Sequence, residues 1–431
     1  MFSPADRSQA LRALGQLSVA PKYRPSHQLA RKDFWPEWFA DLSEEDRRKA
    51  AWVSGESEGI YFAWIAFDTA FADRRPLAAV LLDTRPHRLT PGARSYLRRA
   101  LASHLGPYEV VEVRLEEGLR MRDLWTDRVV WVRERRGTRQ LARWDVLAAR
   151  LVEEADGSYV MEGPVLAFPP YAADGILSEL RRAHRAFSRR HPAGDAAAFF
   201  KRIGPLLHEL WLEEVVLRPE PRFVTPEGDQ VVFARVTFEV KDPGRLAEQL
   251  TGHPELVQND DSTYAWLETA GSEDTPRRSL GTLSIEGNHL VLEAISTQRA
   301  ERGRRMLEER AGDAVRFLSA EHTDAAEAMR QIKAEAARGT SVPEPTPAIP
   351  PELEAEALGK YYEEHYRAWP DTPLPALGNR TPRRAARLKT WRPRVIALLK
   401  MLENHSERLR REGRPAYDFS WMWDELGLDR P

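Results

Sequence analysis

From Asp33 to Leu105 the large apolar residues recur at three- and four-residue intervals, with Trp35, Trp38, Phe39, Trp52, Trp64, Ile65 and Phe67 as the candidate core. That is the spacing of helices burying one face. The run IYFAWIAFDTAF is too short to cross a bilayer and reads as a core helix. Leu89-Thr90-Pro91 opens another helix, threonine capping an orphan N–H and proline standing where its missing N–H costs nothing. Before these, residues 1–30 carry one short helical pattern, Gln9 to Leu17, and read as a loosely attached leader.

The period changes at Tyr108. YEVVEVRL, LRMRDLW, RVVWVRE, VLAARLVEE and SYVMEGPVLAF are short, rich in valine and separated by polar turns such as Glu117-Gly118 and Asp156-Gly157. They predict a small SH3- or OB-like β-barrel over 107–170. Arg133, Arg135, Arg136 and Arg139 cluster near one turn and read as a solvated loop.

Helical spacing returns over 171–218, with Ile176, Leu177 and Leu180, then Phe199, Phe200, Ile203, Leu206, Leu207 and Leu210. A second unit spans 219–338. The strand QVVFARVTFEV precedes a helix at Pro243–Leu250, and strands follow near Tyr264–Glu268, Ser279–Ile285 and His289–Ile295. Gly287-Asn288 suits a hairpin turn between the last two. Ser296 or Thr297 caps the helix TQRAERGRRMLEERAG, which leads to AVRFLSAE and a final helix from Asp324 to Arg338. The order βαβββαβα predicts an open sheet covered by helices on one face.

Residues 339–351 include SVPEPTPAIPP, a proline-rich linker expected to be extended and semi-rigid. A helical module at 352–431 is therefore expected to stand away from the body. Leu358, Tyr361, Tyr362, His365, Tyr366 and Trp369 have helical spacing; Thr381 and Pro382 open a short helix reaching about Lys389. Thr390 then caps a longer helix whose face carries Val395, Leu398, Leu399 and Leu402. In the tail YDFSWMWDELGL, Trp421, Trp423 and Leu426 should fold back on the aromatic helix, since leaving each in water costs about 1.5–3 kcal/mol. The fold class is multidomain α+β: a helical N-terminal region at 1–106, the barrel, a helical connector, an α/β open-sheet domain and the C-terminal helical module.

Composition narrows the chemistry. The 431 residues exceed one ordinary core, and 64 basic against 66 acidic side chains exclude a globally basic nucleic-acid binder. With no cysteine there are no disulfides, thiolate catalysis or Cys-ligated metal centres. No stretch resembles a signal peptide or a membrane span, so a cytoplasmic setting without membrane contact is expected.

Gly55-Glu56-Ser57-Glu58-Gly59 matches a nucleophile elbow in letters. The preceding DLSEEDRRKAAWV is helical rather than a strand, so a flexible interhelical loop is the expectation. The 11 histidines lack ligand spacing, and no phosphate-binding glycine loop occurs, so neither metal nor cofactor is expected. The basic run Arg380, Arg383, Arg384, Arg387, Lys389, Arg392, Arg394 and Lys400, interleaved with Trp391, suits either an acidic protein surface or phosphates.

The layout W-x-x-x-P-x-x-x-L-G-x-x-T-P-x-x-A before an amphipathic helix, carried by Trp369, Pro373, Leu377, Gly378, Thr381, Pro382, Val395 and Leu399, resembles the Xre/MbcA/ParS-like antitoxin toxin-binding domain. The resemblance covers about residues 355–410 and departs where Trp391 and Pro393 replace the usual glycine before the last helix. The whole segment order resembles large bacterial proteins carrying a SEC-C zinc motif, whose cysteines are missing here. The resemblance implies a non-enzymatic, toxin-binding protein whose protein partner is a RES-class toxin. The expected partner-binding residues are Trp369, Leu377, Gly378, Thr381, Pro382, Arg383, Arg384, Arg387, Trp391 and Arg394. Two alternatives stay open: nucleic-acid binding by the barrel with the basic 380–400 helix, and an enzyme with an interdomain site.

Overall fold

In a computed structural model of the chain, the described residues are 2–218, 225, 229–260, 262–268, 277–324, 362–363 and 366–430. The chain divides into two compact units, one built from Met1–Arg218 with Ala348–Pro431, the other from Pro219–Pro347. Among the described residues no helix is long and apolar enough to cross a membrane.

The first unit begins with six helices: α1 Pro4–Ser18, α2 Arg24–Phe34, α3 Glu44–Trp52, α4 Ser54–Phe67, α5 Leu77–Thr84 and α6 Pro91–Ala102. Residues 1–30 are not a loose leader. Ser3 and Asp6 form a reciprocal capping box at the start of α1, while Ala10, Leu14 and Leu17 are buried. Arg7 meets the buried Glu162 at 2.7 Å. The cap satisfies two orphan N–H groups, so the helix starts five residues earlier than its apolar spacing alone suggests.

Strands β1 Leu105–Arg114, β2 Gly118–Asp123, β3 Val129–Arg133, β4 Val146–Glu153 and β5 Tyr159–Phe168 close a barrel in the order β1-β2-β3-β5-β4. Every pairing is antiparallel except β3 with β5. Val110, Leu119, Met121, Val132, Leu147, Ala149, Leu151 and Met161 fill the interior. The alternate residues Val146, Ala148, Val152, Leu166 and Phe168 join the helical core instead. Strand β4 is therefore buried on both faces, which is why VLAARLVE reads as a nearly unbroken apolar run.

Its one charged interruption, Arg150, is buried against Asp68, and Lys201 reaches Asp68 at 3.0 Å and the carbonyl of Leu101 at 2.8 Å. Helices α7 Ala173–Arg190, α8 Ala196–Phe200 and α9 Gly204–Trp211 complete this layer. The helical region, the barrel's outer face and the connector thus share one core. At Arg133, Arg135 and Arg139 the loop arginines face Glu154, Asp156 and Glu116.

The second unit is a six-stranded antiparallel sheet, β6 Val232–Val240, β7 Leu256–Gln258, β8 Thr263–Leu267, β9 Ser279–Glu286, β10 His289–Ala294 and β11 Val315–Asp324, ordered β11-β6-β10-β9-β8-β7. Helices α10 Pro243–Leu250 and α11 Thr297–Ala311 pack their apolar side on it. Short β7 is the strand the spacing does not announce. Gly303 lets α11 approach closely, for a Cβ there would lie 2.5 Å from Leu292 Cδ2 and 2.9 Å from Trp266. Gly287 takes φ +63 in the β9–β10 hairpin. Asp324, the expected start of the final helix, closes β11 instead; the rest of that helix and the linker at 339–351 lie outside the described residues.

The C-terminal module carries helices α12 Pro382–Ala386, α13 Arg392–Arg411 and α14 Trp421–Glu425. Two expectations are corrected. Helix α12 stops at Ala386, and Trp391 rather than Thr390 precedes α13, without a side-chain cap. Pro393 in the first turn supplies the helical φ that a cap would otherwise help select.

Candidate functional site

The turn resembling the toxin-binding motif is built as its residue types demand. Gly378 sits at φ +60 after a single turn over Pro375–Leu377, where a Cβ would meet Trp391 at 3.0 Å. Thr381 accepts the Arg384 N–H at 3.2 Å, and Pro382 is buried at the first helical position. Leu377, Val395 and Leu399 are core residues, with Trp369 and Trp391 packed on them. Tyr366 meets Phe419 edge-on at 4.7 Å, so the tail folds back on the aromatic segment.

The module does not stand away from the body; that expectation is overturned. Helix α13 lies on the barrel. Lys400 reaches the fully buried Glu109, whose other oxygen holds Arg122. Asn404 donates to Asp145 Oδ1 at 2.8 Å, and Arg408 grips both oxygens of Asp145 at 2.7 and 2.9 Å. Glu403 receives the indole N–H of Trp144 at 2.6 Å on one oxygen and that of Trp423 at 2.9 Å on the other. Burial pushes the Lys400 ammonium below its ordinary pKa, against the pull of Glu109. Trp144 is itself buried at φ +73, a left-handed conformation that a bulky residue adopts at a cost.

Docking divides the expected partner-binding residues. Trp369, Leu377, Gly378, Thr381, Pro382 and Trp391 build the module's core and turn. Arg383 is already engaged, by Asp371 at 2.8 and 3.0 Å and by Glu425 at 2.7 Å. This holds the Asp371 carboxyl below the usual carboxylate range. Arg380 and Arg394 lie 4.5 and 4.7 Å from the Trp391 ring centre. Arg384 and Arg387 are exposed, and neither side chain has an acidic partner among the described residues.

Between module and body lies a cleft of about 810 Å³. One wall is Pro170, Tyr171, Ala173 and Asp174, and the other is formed by α12, α13 and the loop after α14. Arg387, Lys389 and Arg392 line it, exposed and without carboxylate partners among the described residues. Lys400 lines its buried end. Of the ten expected residues, only Arg387 lines this cleft. The wall at Pro170–Asp174 carried no sequence signal, because its role depends on packing against residues some two hundred positions later.

Ser57 is not in a loop. It occupies the first turn of α4, buried, with its hydroxyl 2.9 Å from His208 Nε2. Burial lowers the His208 pKa to about 4, and its Nδ1 has no hydrogen-bond partner. An imidazolium formed there would lack an acceptor on its Nδ1 side, so burial favours the neutral ring.

Compared with protein-family models, curated proteins and solved structures, the chain finds no match.

Proposed function

We propose that this chain is a non-enzymatic, antitoxin-like protein of the cytoplasm that binds a protein partner through its C-terminal module. By the motif at Trp369–Pro382 the partner is a RES-class toxin. The observation carrying this reading is the row Arg387, Lys389 and Arg392 along an open cleft, charged and uncompensated. Arginine beside an apolar wall is the composition of a protein-binding hot spot.

Removing the module is an unsuitable test, since it would strip Glu109, Asp145 and Trp144 of their partners. Reversing charge at Arg387, Lys389 and Arg392 leaves these contacts intact. Full-length protein co-expressed with RES-class toxins should restore growth and co-purify with the toxin, whereas the triple glutamate variant should do neither. Failure of the unaltered chain, or equal behaviour of the variant, rejects the reading.

A nucleic-acid role draws on the barrel, whose strand order and parallel β3–β5 pairing suit the OB-like Greek-key arrangement. Its loop arginines face internal acids, however, and α13 lies against β1. Oligonucleotide retention that falls steeply with salt would favour this role.

A further inference from the structure

Resting on the protein-binding reading, we infer that the cleft is a composite docking site for an acidic segment carrying one large apolar side chain. Three features of the cleft argue for that chemistry. First, its lining is amphiphilic: Pro170, Ala173, Pro393, Ile396, Ala397 and Leu426 offer aliphatic surface, while Arg387, Lys389 and Arg392 supply charge. A purely anionic ligand leaves the aliphatic surface wet, and a purely apolar one leaves the cations unanswered. Burying one large apolar side chain contributes about 1.5–3 kcal/mol, more than an exposed ion pair gives.

Second, the aromatic surface needed to stack a base is already taken. Tyr171 is the one aromatic residue in the cleft's lining, and Arg218 lies 4.8 Å from its ring centre. Single-strand binding draws much of its affinity from such stacking, so the site favours a peptide over a nucleic acid.

Third, the walls come from distant parts of the chain. Ala173 and Asp174 open α7, whereas Ile396 and Ala397 belong to α13. Asp174 is exposed, and it would repel an acidic ligand from that wall, directing the anchor toward Ala173 and the carboxylates toward Arg387 and Arg392. Lys400 adds little to recognition because Glu109 already answers its charge.

The test is selection of a random-dodecamer phage library on the immobilised full-length chain, followed by fluorescence polarisation of the enriched peptide. Enriched sequences should place Asp and Glu around a Leu, Ile, Phe or Trp. Affinity should fall at least about tenfold with R387E/R392E on one wall and with A173E on the other, a loss of about 1.4 kcal/mol or more. Urea midpoints of each variant report whether folding is intact. The inference is overturned by enrichment without acidic residues, by no enrichment, by indifference to A173E, or by competition from an oligothymidylate of equal charge. If toxin co-purification survives A173E while the peptides fail, only the composite site falls. If it survives charge reversal at Arg387, Lys389 and Arg392, the protein-binding reading falls too.

Discussion

The indole of Trp144 donates to Glu403 across 259 positions of sequence, and the same carboxylate accepts the indole of Trp423 on its other oxygen. Glu403 also meets Arg430 at 3.0 Å and is 8% exposed on its side chain. One carboxylate thereby joins the barrel, the long helix and the tail.

Glu403→Ala should therefore cost about 3 kcal/mol, since it leaves two indole donors without an acceptor. Urea unfolding reads the loss, and hydrogen exchange should show α13 deprotected first. Glu403→Gln, which retains one carbonyl acceptor, should fall between.

Glu109 offers a sharper test of docking. It holds Arg122 and Lys400 while fully buried, so Glu109→Ala leaves two cations without their carboxylate and should cost about 3–5 kcal/mol. The double variant E109L/K400M should recover part of this, because it removes one of the two stranded cations while Arg122 keeps Asp127 at 3.9 Å. Denaturation of the single and double variants supplies the cycle.

His208 gives the acid dependence. Its folded pKa is about 4, against about 6.5 when unfolded. Between those values the unfolded chain binds the extra proton, so stability falls as pH drops from 6.5 toward 4. The loss approaches about 3 kcal/mol. His208→Gln should lose that portion of the acid slope, read as the difference in urea midpoints at neutral and acid pH.

Gly303→Ala inverts the usual helix rule. Alanine in an exposed helix gains about 1 kcal/mol over glycine. Here the added methyl strikes Leu292 and Trp266, so a net loss of about 1–3 kcal/mol is expected from overpacking. Thermal unfolding of the full chain measures its sign.

Arg383 and Arg384 are neighbours with opposite consequences. Arg383→Ala breaks contacts to Asp371 and Glu425 and should lower the urea midpoint. Arg384→Ala should leave stability within about 0.5 kcal/mol, because its exposed side chain has no ion pair among the described residues. Matched urea curves separate them.

Local chemistry was legible in the sequence. Thr381 and Thr90 cap the helices they announce, and the apolar spacing of Val395 and Leu399 gives the buried face of α13. Five short segments, four of them carrying two or more valines, give the five barrel strands. The errors arise where a distant partner decides. A proline-rich stretch reports local stiffness, not what the following helix will meet, and the contact between Lys400 and Glu109 spans 291 positions. Ser57 likewise looked like a loop residue because its partner His208 is 151 positions away. The site was half legible: the cations of one wall could be read, whereas the opposite wall, made of ordinary proline and alanine, could not.

The first unit's chain departs at Arg218 and returns only after the whole second unit has been made. At roughly 5–20 residues per second, ribosomal synthesis delivers Glu403 tens of seconds after Trp144. For that interval the barrel carries an indole without its acceptor and a seam that nothing yet covers. A chain that stops between the barrel and Glu403 would keep the same unfinished seam.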